Sequence, residues 1–445
     1  MDLIRDMILR IRNHPSLIHF LGHDETFPTD YLDQKYRALI AEYTPERTYQ
    51  PHSGAFHIED RFKTGGTRTG TLELWTYATP SHYYTHKEDG AWGFAQSGGI
   101  GGIIAPVSSI KKMLPEQARW PLANDIFSFH TVLQGIEYFD LAIKSLEHRY
   151  GKPNSIEEFC LKGQVMNYES ARGMFEAYGR NKYEALGITT WKYDAAWPAA
   201  MTWQYVDWYL NVGGAYYGAK KACEPLHVQY AYDDRAVYVV NNYYQAFSGL
   251  KVNARIFNID MQQKFSKTVS IDIGEDEVTK ALIIEWPKEL SKTYFLYLTL
   301  QNSQGKNISE NFYWLSTIPD KEGSKTEVRT EKGWGILKAE PASYADFTRL
   351  QDLPKVQLLK SYQIYREGKE LKAFVRLKNP GKNLAFMIKL SVKKKTGSEE
   401  VLPVYWQDNY FSLLPGAEKT IEAAFLTGKD EPWSYEITVD GWNVE

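Results

Sequence analysis

Paired carboxylates follow a short apolar run near the start of the chain. The run over residues 17–21 ends in a glycine and then in the triplet His23-Asp24-Glu25. Two adjacent carboxyl groups in a cleft can serve as an acid and a charged neighbour, because burial and mutual repulsion separate their pKa values. The alternative is a helix N-cap with solvated acids, which the same residues would satisfy. The triplet alone therefore leaves both interpretations open.

A second candidate is the aromatic segment over residues 191–198, which begins at the end of the predicted strand over residues 188–193. It contains Trp191, Asp194 and Trp197 within seven positions. An aromatic ring at the mouth of a site can stack on the apolar face of a pyranose, and a nearby carboxylate can bind its polar groups. For Trp191, packing between strands and helices is an equally good interpretation. The segment predicts a sugar-binding surface if it lies at a strand end.

The glycine-rich stretch over residues 97–102 (SGGIGG) could indicate a phosphate site. No Lys-Ser/Thr pair follows it in the register of a P-loop, so a flexible connector after a strand is the better prediction. The ten histidines show no close spacing with carboxylates or cysteines that would predict a metal. No Gly-x-Ser-x-Gly motif is found either. We therefore predict no cofactor and no metal.

The elements that must position these residues alternate between strands and helices as far as residue 225. Strands are predicted over residues 17–21, 48–52, 72–77, 93–97 and 188–193, and helices over 1–12, 30–43, 126–150, 155–178 and 202–210. Such alternation is typical of a parallel sheet covered by helices. The polar candidates follow strand ends, where barrel enzymes carry their active sites. Trp203 and Trp208 are predicted to pack within the last helix.

After residue 225 the pattern becomes one of short runs with period-two alternation and turn residues between them. One set fills residues 226–320 and a second fills residues 333–445, and each fits a β-sandwich of about 100 residues. The charged, glycine-containing stretch over residues 321–332 is predicted to be the boundary. The domains expected are thus 1–225, 226–320 and 333–445.

Length, charge and composition limit the kinds of partner that the chain can bind. A chain of 445 residues is too long for one core and predicts about three domains. The net charge of −3 is spread without long single-sign runs, which argues against nucleic acid and anionic membranes as partners. No apolar run approaches the roughly 18 residues of a membrane span. The aromatic content of 14% suits sugar-stacking surfaces, although large β-proteins also use aromatic residues as core.

Several stretches together resemble family 2 glycoside hydrolases, within the branch of exo-β-D-glucosaminidases and plant-type endo-β-mannosidases. They are RNHPS at residues 12–16, GAWGF at 90–94, GAYYGAKKACEPLH at 214–227, NLAF at 383–386, LPVYW at 402–406 and DNYFSLLPG at 408–416. The resemblance covers nearly the whole chain. It implies the C-terminal strands of a (β/α)8 TIM barrel followed by two immunoglobulin-like β-sandwiches.

The resemblance also implies roles for single residues. Glu25 falls on the general acid/base of the family, and Asp24 is the alternative because this branch places an acid at both positions. Matching the GAWGF stretch places Ser97 where the family carries its nucleophilic glutamate. Trp191, Asp194 and Trp197 would bind the sugar. A serine is a marked departure, because a retaining glycosidase needs two carboxyl groups about 5–5.5 Å apart.

The function implied is retaining cleavage of β-linked glucosaminides or mannosides from glycans. Because position 97 is a serine, a non-catalytic carbohydrate-binding protein and an inactive fragment remain alternatives. In the family, three further strands and two N-terminal domains precede the acid/base strand, so the missing N-terminal part is an expected partner as a separate chain. The sequence shows no export signal, whereas the intact parent is expected to be secreted or periplasmic because polymeric glycans are extracellular.

Overall fold

The protein is described from a computed structural model over residues 1–23, 28–51, 76–87, 90–132, 135–329, 335–426 and 430–445. Asp24, Glu25 and most of the predicted strand 72–77 lie outside the described residues. The elements of the first half are α1 (Asp2–Ile11), β1 (His19–Leu21), α2 (Asp30–Tyr43), β2 (Thr48–Gln50), α3 (His82–Thr85), β3 (Gly93–Gly98), β4 (Ile103–Ile104), α4 (Val107–Met113), α5 (Asp125–Phe129), α6 (Asp140–Tyr150), α7 (Ile156–Arg180), β5 (Ala185–Thr190), β6 (Met201–Thr202) and α8 (Gly214–Ala222).

Two strand pairs of the first half are parallel, as the alternation of strands and helices predicts, whereas the short pair of β4 and β6 is antiparallel. In one pair His19 of β1 lies opposite Thr48 of β2, with α2 as the crossover between them. In the other pair β3 lies beside β5, with Gly98 opposite Thr190. Across the described ranges these pairs are separate sheets. The partial barrel therefore stays a prediction, whereas the strand–helix–strand pattern is confirmed.

Two predicted helices differ from the structure. The segment over residues 126–150 breaks into α5, a 3-10 turn at Ile136–Phe139 and α6. The first helix ends at Phe129, and Gly135, which precedes the 3-10 turn, donates its N–H to Thr131 Oγ1 at 3.0 Å instead of continuing a helix. A single glycine costs a helix interior up to about 1 kcal/mol, and the competing side-chain bond decides the outcome.

The predicted helix over residues 202–210 is wrong. The segment starts with strand β6 and continues as turns, because Asp207 Oδ1 accepts hydrogen bonds from the N–H groups of Tyr209 and Asn211 at 2.8 and 2.9 Å. Such Asx-type contacts compete with helical hydrogen bonds. Trp203 is buried and packs against Phe139, whereas Trp208 is 50% exposed and does not pack in a helix interface.

Helix α7 is buried along most of its length, and it starts at Ser155, whose Oγ accepts the N–H of Glu158 at 3.2 Å. Helix α8 packs closely on it. A Cβ atom built on Gly214 would lie 2.0 Å from the carbonyl oxygen of Gln164, and one built on Gly218 would lie 2.2 Å from that of Tyr168. The two glycines therefore let the backbones of the two helices meet.

The remaining strands form two antiparallel β-sandwiches and a hairpin between them. The strands of the first sandwich are β7 (Leu226–Tyr230), β8 (Ala236–Asn241), β9 (Phe247–Asn258), β10 (Gln263–Ile273), β11 (Val278–Ile283), β12 (Thr293–Gln301) and β13 (Asn307–Ser316). Their order is β10-β9-β12-β13 in one sheet and β11-β8-β7 in the other. Alternating buried residues such as Val252, Ala254 and Ile256 point into the core between the sheets.

The predicted boundary over residues 321–332 is partly strand. Here β14 (Lys325–Arg329) pairs with β15 (Gly335–Ala339) in antiparallel register, so that Lys325 lies opposite Ala339. The glycine and charged residues in this stretch indicate a linker. The stretch nevertheless includes a strand, because β15 follows β14 closely enough in the chain to pair with it as a hairpin. The domain limits themselves stay predictions.

The second sandwich repeats the four-plus-three arrangement of the first. Its strands are β16 (Leu359–Glu367), β17 (Glu370–Lys378), β18 (Ala385–Lys394), β19 (Val404–Trp406), β20 (Phe411–Leu413), β21 (Glu418–Leu426) and β22 (Tyr435–Asp440). The orders are β16-β17-β21-β19 and β20-β18-β22. The period-two alternation after residue 225 therefore predicts the strand-rich half of the chain correctly.

One hydrophobic core extends from the helices of the first half into the second sandwich. Phe159 of α7, Trp314 of β13 and Phe386 of β18 belong to it, and all three are buried. The rings of Trp314 and Phe386 meet edge to face, with centroids 5.2 Å apart. The three parts of the chain are therefore joined by shared packing.

Candidate functional site

The carboxyl ends of β3 and β5 lie side by side and bring two of the predicted site residues to one edge. Trp191, the first residue after β5, donates its N–H to the carbonyl oxygen of Gly98 at 2.9 Å. Ser97 precedes Gly98 within β3, and only its backbone belongs to the described part of the chain. Position 97 and Trp191 are thus neighbours at the ends of adjacent strands.

The side chain of Trp191 is 43% exposed. The ammonium group of Lys192 lies over the indole, 4.6 Å from its centroid. Of the two interpretations that the sequence leaves open, packing in a core does not account for this exposure. A ring that presents a face at the mouth can stack on the apolar face of a sugar. That role stays a prediction.

The glycine-rich loop after β3 is buried and is held by hydrogen bonds to α7, so the prediction of a flexible connector is wrong. Asn167 of α7 donates to the carbonyl oxygen of Gly102 at 3.1 Å and accepts the N–H of Ile104 at 3.0 Å. Gly102 has a φ of +75°, and a Cβ atom there would lie 2.4 Å from Ala142. Helix α7 therefore fixes the path of the chain just after position 97.

Asp194 lies at the rim of a pocket of about 500 Å³, which we call the rim pocket. One wall comes from the loop after β5 and the start of α8. The other wall comes from β19 and β21 of the second sandwich. Residues lining it are Tyr193, Asp194, Val206, Leu210, Val212, Tyr216, Tyr217, Lys220, Lys372, Pro403, Val404, Tyr405, Trp406, Gln407, Glu422, Ala423 and Ala424.

The second wall of this pocket is not predicted from the sequence. Tyr405 and Glu422 are about two hundred residues from Asp194 along the chain, and no local pattern links them. The nearest signal is the LPVYW stretch over residues 402–406, which the resemblance identifies without giving it a role. This second wall exists only because the second sandwich packs beside the loop that follows β5.

Trp197 does not line the rim pocket. Its indole stacks on the ring of His130, with centroids 5.1 Å apart and planes 13° apart, and Phe129 meets it edge to face. A further contact joins His130 Nδ1 and the carbonyl oxygen of Pro198 at 2.8 Å. The structure therefore ties Trp197 into an aromatic cluster that holds the loop, and separates it from Asp194.

A second group of titratable side chains is buried between α7 and the first sandwich, away from the strand ends. Glu176 of α7, His227 of β7 and Glu224 form a chain of contacts. Within the described ranges, no group of three or more histidine, cysteine, aspartate or glutamate side chains could hold a metal ion. No helix in the described part is long and apolar enough to cross a membrane.

Family models match both sandwiches. Residues 233–318 match the mannosidase Ig/CBM-like domain, and residues 337–444 match the exo-β-D-glucosaminidase Ig-fold domain. The exo-β-D-glucosaminidase of Streptomyces avermitilis is 32% identical over 98% of this chain and 48% of its own length. The mannosylglycoprotein endo-β-mannosidase of Lilium longiflorum is 22% identical over 99% of this chain and 53% of its own.

Solved structures agree with these matches. The exo-chitosanase of Amycolatopsis orientalis superposes with a TM-score of 0.83 at 28% identity, over 99% of this chain and 52% of that one. The chain thus spans about half the length of the curated relatives that it matches. These findings confirm the resemblance that the sequence motifs indicate, and they confirm two immunoglobulin-like domains.

Proposed function

We propose that this relative of the family 2 glycoside hydrolases forms part of a retaining β-glycosidase that cleaves β-linked glucosaminides. The single observation that carries the proposal is the exposed Trp191, held beside position 97 by its hydrogen bond to Gly98. The similarity to exo-β-D-glucosaminidases over 98% of the chain supports the substrate class. A mannoside is the second substrate that the relatives suggest.

In this proposal the chain supplies the C-terminal strands of a (β/α)8 barrel. The support is the strand–helix–strand unit of β1, α2 and β2 together with the parallel pair of β3 and β5. In the same proposal the sandwiches occupy residues 226–320 and 333–445 and pack on the first part of the chain through the shared core.

The proposed catalytic and binding roles belong to residues at the ends of different strands. Glu25 protonates the leaving oxygen and later deprotonates water, with Asp24 as the alternative for that role. Trp191 stacks on the sugar, and Asp194 binds its polar groups. Asn167 acts as a positioning residue, because its two hydrogen bonds fix the loop that follows position 97.

Ser97 limits this chemistry. A retaining mechanism forms a covalent bond between the anomeric carbon and a carboxylate, and a serine without a base is a poor replacement. Loss of a nucleophile commonly costs several powers of ten in rate. We therefore expect no turnover of an aryl β-glucosaminide by this chain, either alone or with the N-terminal half of the Streptomyces avermitilis relative.

The test is the substitution Ser97→Glu, assayed with the same aryl β-glucosaminide and the same N-terminal half. Hydrolysis should appear in this variant and stay absent in Ser97→Gln, which has a similar size and no carboxylate. Turnover above roughly 1 s⁻¹ by the unmodified chain would contradict the role given to position 97. Inactivity of the Ser97→Glu variant in a folded complex would contradict it as well.

A carbohydrate-binding protein without catalysis is the second candidate, and the serine at position 97 is the observation that favours it. Isothermal titration with glucosamine oligomers separates the two. Binding with no hydrolysis products, in both the unmodified and the Ser97→Glu chains, supports the binding protein. An absence of binding and of hydrolysis would indicate an inactive fragment.

A further inference from the structure

We propose that the rim pocket binds further glucosaminyl units of the substrate, on the leaving-group side, and that the second sandwich supplies half of that site. This inference rests on the proposed function and extends it to the polymer. It assigns a role to Tyr405 and Glu422, which lie on β19 and β21 and face Asp194 across the pocket.

The position of the pocket fits a substrate that continues beyond the strand ends. Asp194 follows Trp191 by three residues, so their Cα atoms are at most about 11 Å apart. The start of α8 lines the same pocket through Tyr216. An enzyme that acts at a chain end must let the rest of the glycan leave the mouth, and this rim is an exit beside Trp191.

The charge of the pocket also favours this substrate. Asp194 and Glu422 are exposed, and in the part of the chain that the structure describes neither side chain forms an ion pair. Each of the two lysines that line the pocket has a partner other than Asp194 and Glu422. Lys220 donates to the carbonyl oxygen of Trp406 at 2.9 Å, and Lys372 pairs with Glu370 at 2.8 Å.

Burial also lowers the pKa of Lys220, whose ammonium group remains beside the carboxylates. The pocket therefore presents two carboxylates to a ligand. A cationic ligand would be attracted to both, with the modest strength of solvent-exposed charge pairs. The protonated amines of a glucosamine oligomer meet this requirement.

Aromatic rings on both walls match the shape of a sugar. Tyr193 is 61% exposed and Tyr405 is 63% exposed, one on each side of the pocket. A tyrosine offers an apolar ring face together with a hydroxyl group, which matches the apolar faces and hydroxyl edges of a pyranose. The volume of about 500 Å³ falls in the range of roughly 300–1,000 Å³ typical of small-ligand sites.

The experiment is isothermal titration of the full chain with a β-linked glucosamine tetramer, at a pH where its amines are protonated. Glu422→Gln, Asp194→Asn and Tyr405→Ala should each weaken binding by about threefold to tenfold, the scale of one charge pair or one ring contact. The fully N-acetylated tetramer, which lacks the positive charges, should bind more weakly to the unmodified chain and show no dependence on Glu422.

Two matched variants act as controls. Glu418→Gln removes a carboxylate from the same strand outside the pocket, and Tyr244→Ala removes a tyrosine that is 88% exposed on the first sandwich. Both should bind the tetramer like the unmodified chain. Equal binding by the pocket variants and the controls would overturn the inference, and so would equal binding of the charged and N-acetylated tetramers by the unmodified chain.

The assay also separates this inference from the proposed function. An aryl β-glucosaminide carries one sugar and no further glucosaminyl unit, so its hydrolysis does not depend on the contacts that Glu422 and Tyr405 would make with such units. If the Ser97→Glu complex fails to hydrolyse it while tetramer binding depends on Glu422, only the proposed hydrolysis fails. If the complex hydrolyses it while tetramer binding ignores Glu422 and Tyr405, only the role of the rim pocket fails.

Discussion

His227 Nε2 lies 3.1 Å from Glu176 Oε1, and both side chains are removed from solvent. The other ring nitrogen, Nδ1, lies 3.0 Å from Glu224 Oε2. Burial alone would lower the pKa of His227, but the hydrogen bonds to Glu176 and Glu224 outweigh burial and raise it above its ordinary value. The imidazole therefore links α7 to the first strand of the first sandwich through contacts at both of its ring nitrogens.

This linkage predicts a loss of stability on the alkaline side. Because the pKa is raised in the folded state, the stabilisation is fully present below the unfolded value of about 6.5 and is lost as the pH rises through the folded pKa. A tenfold difference in proton affinity between the folded and unfolded states corresponds to about 1.4 kcal/mol of stability. Urea unfolding at a series of pH values from slightly acid to alkaline should show the decline.

The control for this prediction is His227→Gln, which keeps a polar side chain and cannot titrate. The decline that the unmodified chain shows above neutrality should be largely absent from the variant. A decline of equal size in both proteins would mean that other groups cause it.

Glu224 predicts a second pH effect, on the acid side. Burial raises the pKa of Glu224, but the contacts with His227 and Lys221 lower it by more. The pKa therefore falls to about 2. The carboxylate therefore adds stability above about pH 4.5 that is lost as the pH falls toward 2, with an upper bound of roughly 3 kcal/mol. Glu224→Gln should unfold with a smaller change between neutral and acid pH, measured by urea titration. Identical acid sensitivity in both chains would contradict the prediction.

Asn167→Ala should destabilise the chain by about 2–5 kcal/mol. The substitution leaves the buried carbonyl of Gly102 and the buried N–H of Ile104 without partners, and each such group costs about 1–3 kcal/mol. Urea unfolding measures the effect. Asn154→Ala, at an exposed position just before the same helix, should cost less than about 1 kcal/mol. A small effect at position 167 would show that the loop is fixed by other contacts.

Gly218→Ala should destabilise the chain by about 3 kcal/mol or more, because the added methyl group would lie 2.2 Å from the carbonyl oxygen of Tyr168. The matched control is Gly179→Ala in α7, where the nearest atom would be 3.8 Å from the new methyl group. That change should be neutral or stabilising by up to about 1 kcal/mol, since alanine favours a helix. Thermal melts of the two variants should therefore shift in opposite directions or by very different amounts.

Local periodicity predicts much of the fold. Helix α2 has the predicted limits, because Thr29 Oγ1 accepts the N–H of Leu32 and marks the helix start. The two sandwiches follow from period-two alternation. The helix predicted over residues 202–210 fails because the contacts of Asp207 override the apolar spacing.

The candidate site is only partly predictable from the sequence. The predicted strand over residues 188–193 contains Trp191 and is followed by Asp194, whereas β5 ends at Thr190, so that both residues follow it. Tyr405 and Glu422 reach Asp194 through the packing of a separate domain, which no local pattern encodes. The roles of Glu25, Asp24 and Ser97 rest on the resemblance and stay predictions.

The core shared by Phe159, Trp314 and Phe386 has a consequence for how such proteins can be recombined. A sandwich exchanged between two relatives would arrive with a contact surface shaped for its former neighbour. Chimeras joined after residue 225 should therefore express poorly unless α7 and α8 are exchanged together with the sandwiches. The smallest part of the chain that can be exchanged intact is therefore the set of helices and strands that share this core. That set is larger than any one of the sheets.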